Sequence, residues 1–355
     1  MKSDKGKKAV CCMSGGVDSS VAVYLLKKQG FVVSGVFIKF FDLPSLKQSE
    51  KQAKEIAKFF KIPFFVFDFR KEFKEKIIDN FIKELKKGRT PNPCVLCNKE
   101  MKFKFLFKEL KNKKIDFDFV ATGHYARIKK IKNEYKVFQA KDKLKDQTYF
   151  LWALKQNQLK KVLFPIGDYP KQEIKEIAKK IKINKLASAE SQEICFTNND
   201  INNFLEKNIK QKQGLIIEQV DDKIRKTVGK HNGLWFYTIG QRKAIKLSGG
   251  PYFVLDKDVK NNVLLITKNE KKLYSKELIA QNINFITKEK IKLPMRIKAK
   301  IRYGKKAVEA EIEKYLDKKQ NFVLIKFKKS QKAVTSGQSI VFYKNTELLG
   351  GGIIQ

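Results

Sequence analysis

Short apolar runs alternate with amphipathic ones over the first third of the chain. Residues 9–13, 32–40, 64–69 and 117–121 are apolar enough to predict buried strands, whereas 21–29, 49–60, 71–87 and 102–111 carry the three-to-four spacing of helices. Gly30 is placed to end the first helix. Strands separated by helices predict an α/β domain with a parallel sheet covered on both faces, and ligands of such sheets bind beyond the carboxyl ends of the strands. The pattern changes near residue 198. Runs at 216–220, 253–256 and 263–267 read as strands, among glycine-containing turns at Gly240-Gln241-Arg242-Lys243 and Gly249-Gly250-Pro251. From 284 onward, strand-like runs at 295–301, 308–312, 322–327 and 339–343 predict a small β-barrel or sandwich. The expected division is 1–197, 198–278 and 279–355, with no internal repeat and no low-complexity linker.

Composition changes this picture in two ways. The 355 residues exceed a usual single domain, and 42% hydrophobic with 12% aromatic residues suffice to bury real cores. Lys and Arg number 77 against 37 acidic residues, a formal net charge of +40. Such a field attracts a polyanion such as nucleic acid. A membrane surface, simple solubility or a lysine bias of the source genome are the alternative readings, since only seven of those cations are arginines. No apolar run reaches the roughly 20 residues that span a bilayer. The start, Met1 to Lys8, is charged, lacks arginine, carries Asp4 and precedes no signal-type apolar segment, so the expectation is a cytoplasmic protein.

The first strand runs into Ser14-Gly15-Gly16-Val17-Asp18-Ser19-Ser20 and then into a helix. Adjacent glycines let the backbone approach an anion, and the amides of a helix's first turn point at it with the positive end of the dipole. Asp18, Ser19 and Ser20 are also good helix caps, so an ordinary strand-to-helix turn is the competing reading. The stretch lacks the Gly-Lys-Ser/Thr ending of the kinase and GTPase loop. A lysine-free SGGxDS loop resembles the PP-loop of the ATP pyrophosphatases, which implies cleavage of ATP between its α and β phosphates and adenylation of a substrate oxygen.

Two other irregular stretches hold candidate chemistry. After the fourth predicted strand comes Thr122-Gly123-His124-Tyr125, where Gly123 would let a nucleotide lie close and His124 either reaches the same crevice or packs as an ordinary ring. In Thr90-Pro91-Asn92-Pro93-Cys94-Val95-Leu96-Cys97-Asn98, prolines on both sides of Asn92 stop the preceding helix and force an extended segment. Cys97 then stands just before a helical run, where a helix N-terminus depresses a thiol pKa. The five cysteines do not suggest a disulfide framework. Cys94 and Cys97 have metal-ligand spacing, with Cys195 and His124 as the remaining zinc ligands; a redox or sulfur-handling set and bystander thiols are the other readings. Cys11 and Cys12, in the first strand, are expected to pack. Lys145-Asp146-Gln147, ahead of an apolar aromatic stretch, is polar and expected at the surface. A cradle plus separated thiols suggests that ATP activates a carbonyl oxygen, a persulfide replaces it, and a second thiol releases the product by forming a disulfide.

With those residues in hand, the chain resembles the tRNA-specific 2-thiouridylases over nearly its whole length. The matching blocks are Met13–Ser20, Gly88–Pro93, Cys97–Phe103, Ala121–Tyr125, Lys145–Gln147, Ile194-Cys195-Phe196, Gly240–Lys243 and Leu349–Ile354. The resemblance implies a PP-loop catalytic domain, a central domain and a C-terminal β-barrel, acting on the wobble uridine of tRNA with ATP and Mg²⁺. It also implies a sulfur-relay protein or cysteine desulfurase as persulfide donor. By position, Cys12, Met13 and the loop Ser14, Gly15, Gly16, Val17, Asp18 and Ser19 would bind ATP, with Ile38 and Gly123 near the adenosine. Cys97 matches the family's nucleophile and Cys195 the persulfide-bearing cysteine. Asn92, Pro93 and Cys94 fall where the family meets the target base, and His124, Lys145, Asp146, Gln147, Arg302, Tyr303 and Gln338 where it touches tRNA. No residue is assigned to a resident metal. The chain departs from the family at Cys94, where better-known members carry Asp, and at Phe40-Phe41-Asp42-Leu43-Pro44, which lacks their acidic, Trp-containing stretch. The rival readings are an ATP-dependent amidotransferase or synthetase, which needs neither Cys97 nor Cys195, and a non-enzymatic RNA-binding protein, which leaves the cradle unused.

Overall fold

A computed structural model describes residues 5–183, 186, 194–198, 200–221, 224–245 and 247–355. The first four residues of the charged start, and those just ahead of Ile194, lie outside the described residues. No helix among the described residues is long and apolar enough to cross a membrane.

The expected alternation forms a parallel sheet in the order β3-β2-β1-β4-β7, from β1 (Lys8–Cys12), β2 (Val32–Lys39), β3 (Phe64–Asp68), β4 (Phe119–Thr122) and the short β7 (Val162–Leu163). Both faces of the sheet are covered, which is why its strands read as unbroken apolar runs. Residues of β1 alternate between two cores. Val10 joins one with Val36, Ile38 and Phe67, while Ala9 and Cys11 join the other with Val33 and Phe37. Cys12 therefore points to the same face as the core residues Cys97 and Met101. The strand order reverses between β1 and β4, and a crevice opens there beyond their carboxyl ends. Helices α1 (Val17–Lys28) and α2 (Pro44–Phe59) follow β1 and β2, and α1 ends just before Gly30 as expected.

Two helical runs differ from expectation. The run over 70–86 contains a π-helical turn, Lys74–Ile78. The run expected at 102–111 begins nine residues earlier. It is α-helical over Pro93–Leu96, π-helical over Cys97–Phe105 and α-helical again over Leu106–Asn112. Pro93 takes the first helical position, where a missing N–H costs nothing, and the Asn92 side chain caps the helix by accepting from the Cys94 N–H at 3.2 Å. The prolines do stop the preceding helix, but the second one starts the next.

Beyond residue 200 a four-stranded sheet runs β10-β11-β8-β9, from β8 (Gly214–Gln219), β9 (Arg225–His231), β10 (Phe253–Asp258) and β11 (Val263–Thr267). The C-terminal strands are β12 (Tyr274–Phe285), β13 (Met295–Lys300), β14 (Val308–Tyr315), β15 (Phe322–Lys332), β16 (Ser339–Lys344) and β17 (Glu347–Ile354). They pair antiparallel in the order 12-15-14-13-16-17, and β17 returns to β12, so the barrel is closed. The glycine-rich β17 carries no strand signal in the sequence. Its Gly351 is required because a Cβ there would lie 2.6 Å from the Ile340 carbonyl oxygen and 2.9 Å from the Trp152 ring.

The barrel is welded to the parallel-sheet domain. A hairpin of that domain, β5 (Ala126–Ile131) with β6 (Glu134–Gln139), pairs through β6 with β17. Segment 146–152 drives into the barrel beneath it. Trp152 Nε1 donates to Ser339 Oγ at 3.0 Å, Tyr149 OH donates to the Ser339 carbonyl at 2.8 Å, and Thr148 Oγ1 lies 3.1 Å from Tyr343 OH. Asp146, expected at the surface, is 3% exposed. It accepts from Thr148 Oγ1 and the Ala140 N–H, and Lys300 of β13 brings its ammonium to 3.9 Å. Polarity alone misplaced it: a carboxylate with this many donors is tolerated inside.

Removing one partner of a buried ion pair strands the other charge. Asp146→Ala is expected to destabilise the protein by about 3 kcal/mol in urea denaturation, with Asp146→Asn, which still accepts hydrogen bonds, costing clearly less. Equal stability of Asp146→Ala and the parent protein would remove this pair from the account of how the barrel is held.

Candidate active site

The loop after β1 is stapled from within. The Ser14 N–H and Ser19 Oγ meet at 3.1 Å, Ser19 Oγ donates to the Gly16 carbonyl at 3.0 Å, and Ser20 Oγ donates to the same carbonyl at 2.8 Å. Gly15 has φ +78, and a Cβ on it would come 2.5 Å from the Ser49 carbonyl oxygen of α2. Helix α1 starts at Val17 with Gly16 as its N-cap and no side-chain cap. Asp18, Ser19 and Ser20, which the ordinary-turn reading casts as caps, are engaged elsewhere. The first-turn N–H groups are thus left for an anion, the arrangement that a phosphate cradle needs.

Asp18 turns sideways into a network. Its Oδ1 accepts from Tyr125 OH and from Lys171 Nζ, both at 2.7 Å, and Lys171 is buried at the start of the helix Lys171–Lys180. Burial first, and Asp18 second, hold the Tyr125 hydroxyl protonated. Gln147 fixes Tyr125 from the other side: its Oε1 accepts the Tyr125 N–H at 2.9 Å, and its own N–H donates to the Tyr125 carbonyl at 2.9 Å. Lys171 and Tyr125 are functional candidates that the sequence reading passed over; the signal available was a lysine directly after Pro170, at a helix start. Gly123 is needed for packing, because a Cβ there would meet the Ser19 nitrogen at 2.9 Å, so β4 exits directly against the first turn of α1.

The thiols gather on the opposite wall. The Cys97 N–H bonds to the carbonyls of both Pro93 and Cys94, which places Cys94 and Cys97 one tight turn apart on one helix face. The π-helical stretch that begins at Cys97 brings residues five apart into line, so Lys102 stands over Cys97. Cys97 is buried, Cys94 half-buried and Cys195 exposed, and all five cysteines are free. Phe196, next to Cys195, packs edge-on to Phe73 and Phe81 in the core that also holds Cys97.

The expectation of a helix-depressed Cys97 pKa is overturned. Cys97 lies a full turn inside the helix, and burial pushes its pKa up to about 11, against the pull of Lys102. Burial likewise raises Cys12 to about 12 and Cys94 upward, and loss of hydration among the crowding protein atoms raises Cys195 as well, although its own surface remains exposed. Each of the four feels the positive charge of Lys102, and Cys195 feels the charges of Cys97 and Cys94. Lys102 has no ion pair with a carboxylate among the described residues and was not singled out from sequence. His124 shares a 2.7 Å hydrogen bond with Thr122 Oγ1 and packs against Phe103 and Phe164; burial, then Lys102, keeps its ring neutral.

The barrel closes the site from a third side. Tyr303 is 44% exposed, stacks on Phe150 at 4.5 Å and feels the charge of Cys94. Gln338 Nε2 donates to the Thr90 carbonyl at 2.7 Å, holding the segment that leads to Asn92 and Pro93. Arg302 is clasped by the carbonyls of Ile239 and Ala333 and by Thr335 Oγ1, where the central and C-terminal strands meet. Met13 and Ile38 are buried in β1's extension and in β2. Asn98, buried beside Cys97, donates to the Phe150 carbonyl but leaves Oδ1 unpartnered.

No group of three or more His, Cys, Asp or Glu among the described residues is arranged to hold a metal, which disfavours the zinc reading of Cys94, Cys97, Cys195 and His124. Magnesium borrows phosphate oxygens and keeps its waters, needing only one or two carboxylates. Asp18 stands beside the uncapped turn and is the carboxylate placed to meet that demand, by exchanging part of its bond to Lys171 for the ion.

Three family profiles match the chain in order: a tRNA methyl transferase HUP domain over residues 7–199, a tRNA methyl transferase PRC-barrel domain over 202–268 and an aminomethyltransferase beta-barrel domain over 275–354. The tRNA-specific 2-thiouridylase MnmA of Clostridioides difficile is 42% identical over 364 residues, covering 98% of each chain. That of Buchnera aphidicola subsp. Schizaphis graminum is 43% identical over 368 residues, covering 99% of this chain and 98% of its own. Among solved structures, the U34-tRNA thiolase NcsA from Methanococcus maripaludis aligns with a TM-score of 0.37 at 19% identity, covering 59% of this chain and 69% of its own. The profile descriptions speak of methyl transfer, but the relatives that run through all three regions at once are thiolation enzymes.

Lys102→Gln removes the cation that lowers the thiol pKa values, so those values rise and the thiolate fraction at a fixed pH falls. If the rise is about half a unit, alkylation of Cys97 by iodoacetamide at about pH 8 slows about threefold and its pH profile moves upward, while Lys102→Arg restores it. An unchanged profile would detach Lys102 from the thiols.

Proposed function

The chain belongs to the family of tRNA-specific 2-thiouridylases, and we propose that it thiolates the wobble uridine of tRNA by adenylation followed by persulfide attack. It is a sulfurtransferase that acts on a tRNA uridine. What most supports the finer reading is an uncapped helix N-terminus directly after β1, with Cys12 at the end of that strand feeling the charge of Cys97, which in turn is felt by Cys195.

In this reading the first-turn amides of α1, with Ser14 to Ser19, hold the phosphates of ATP, Cys12 and Met13 form the floor, and Ile38 and Gly123 flank the adenosine. Asp18 would hold a magnesium ion carried in with the phosphates, which supplies charge neutralisation for the departing pyrophosphate. Asn92, Pro93 and Cys94 present the target uridine. His124, Lys145, Gln147, Arg302, Tyr303 and Gln338 meet the tRNA, with buried Asp146 supporting that surface from behind. The uridine 2-oxygen attacks the α-phosphorus and pyrophosphate leaves. The terminal sulfur of a persulfide on Cys195 attacks C2 and AMP leaves. Cys97 thiolate then attacks the Cys195 sulfur, forming a disulfide and freeing 2-thiouridine, so the two electrons needed come from the two cysteines. The exposure of Cys195 suits loading by an external donor, a sulfur-relay protein or a cysteine desulfurase, and the burial of Cys97 keeps it from idle oxidation.

Nucleoside mass spectrometry of unmodified tRNA incubated with protein, Mg-ATP and a persulfide donor tests the scheme. 2-Thiouridine is expected to require ATP, Cys195 and Cys97, with Cys195→Ser and Cys97→Ser inactive yet still binding tRNA. AMP accumulating without thiouridine would favour the amidotransferase-type reading. The net charge of +40 predicts steep salt dependence: log affinity for tRNA falls against log salt with a slope of about −0.7 to −0.9 for each phosphate neutralised. A flat response would dissociate the lysines from tRNA binding.

A further inference from the structure

Cys94 stands where the family's better-known members carry an acid, and its placement gives it work that a carboxylate does not do. It is one turn before Cys97 on the same helix face, joined to it by the Cys97 N–H to Cys94 carbonyl bond. With a rise of about 1.5 Å per residue and a radius of about 2.3 Å, α-carbons three apart on a helical turn lie about 5 Å apart, inside the Cα separations of about 4.4–6.8 Å across which disulfides form once the side chains turn toward each other. The Asn92 cap fixes the Cys94 backbone at the start of that turn. Cys195 is the third member, anchored by Phe196 in the core that contains Cys97. Its titration responds to Cys94 and Cys97 together. The accessibility is graded: Cys195 is exposed, Cys94 half-buried and Cys97 buried.

Sulfur transfer as read above ends with Cys97 and Cys195 in a disulfide, which blocks the persulfide carrier. We propose that Cys94 is the resolving thiol that returns Cys195 to service by exchange within the site. The Cys94 thiolate attacks the Cys97 sulfur; a Cys94–Cys97 bond forms, the Cys97–Cys195 bond breaks, and Cys195 leaves as a thiolate that takes up the proton Cys94 gave. No electrons enter or leave the protein in this step. An external dithiol reductant then attacks the half-buried Cys94 sulfur and is itself oxidised, restoring Cys94 and Cys97 as thiols. The exchange moves the oxidised pair from a 98-residue separation to a four-residue turn, and it frees the exposed thiol first, so a new persulfide can be loaded before the buried pair is reduced.

This rests on the sulfur-transfer reading of Cys97 and Cys195, but its test needs neither tRNA nor ATP. The whole protein is equilibrated in glutathione buffers of graded potential, its thiols are trapped by alkylation, and its disulfides are mapped by peptide mass spectrometry. Among the oxidised molecules the Cys94–Cys97 disulfide is expected to outnumber Cys97–Cys195 by at least about tenfold, a preference of about 30 mV, so that Cys195 stays alkylated while Cys94 and Cys97 are protected together. Cys94→Ser is expected to shift the bond to Cys97–Cys195, and Cys94→Asp to do the same. A parent protein that shows only Cys97–Cys195, or keeps Cys94 alkylated at every potential, overturns the proposal. Absence of 2-thiouridine in the nucleoside assay, with the Cys94–Cys97 disulfide intact, would instead overturn the transfer reading and leave the exchange chemistry standing.

Discussion

Asp146 is a carboxylate buried between two bodies, and the site inherits its geometry from the way that charge is satisfied. On one side it takes the Thr148 hydroxyl and the Ala140 N–H; on the other, Lys300 of the barrel faces it. A buried charge tolerates little displacement, because lost partners are not replaced by water. The segment that follows is therefore held in register. Gln147 meets Tyr125 on both backbone atoms, Tyr125 meets Asp18, and Asp18 belongs to the loop under the first turn of α1. Tyr149 and Trp152 reach Ser339 in the barrel. One segment thus fixes the phosphate loop and the barrel in a common frame, and through Gln338 and Tyr303 that frame extends to the wall that bears Asn92 and Cys94.

Within the frame, the chemistry is held in a resting state. Burial pushes the thiols toward protonation, which suits groups that must avoid oxidation between turnovers, and Lys102 is the opposing influence on all of them. Charge at this crevice is consequently scarce and placed. His124 stays neutral, Asp18 is paired with Lys171, and the cation that faces the sulfurs extends from a π-helical stretch. A regular α-helix brings residues three and four apart together, whereas the wider π turn aligns Cys97 with Lys102. Irregular helix geometry of this kind carries a cost, and it often marks functional positions.

The apolar runs and the glycine loop made the parallel sheet legible, because strands buried on both faces have no polar register to hide. The loop's role was legible as a choice between two readings, and tertiary packing decided it: Ser19 and Ser20 bond the Gly16 carbonyl and Asp18 turns to Lys171, so none caps the helix. The hairpin Ala126–Ile131 with Glu134–Gln139 was not legible, since its apolar face is only Ala126, Ile128, Tyr135 and Val137, interrupted by charged residues, and it is stabilised by packing on the core and pairing onto a distant strand. Strand Glu347–Ile354 was hidden by its glycines, which are there because neighbours come too close for a side chain.

Local devices are written along the chain: a glycine turn before a helix, a CxxC that follows an Asn-Pro helix start, a remote cysteine and an excess of lysine. These depend on backbone freedom, residue type and spacing along the chain, which a linear string contains. Tertiary structure alone decided which of them meet. It carried Cys195 across nearly a hundred residues to Cys94 and Cys97, buried Asp146 against Lys300, set Lys171 on Asp18 and raised the Cys97 pKa that its sequence position was expected to lower. Burial and long-range charge depend on neighbours far away in sequence, and only the folded chain supplies them.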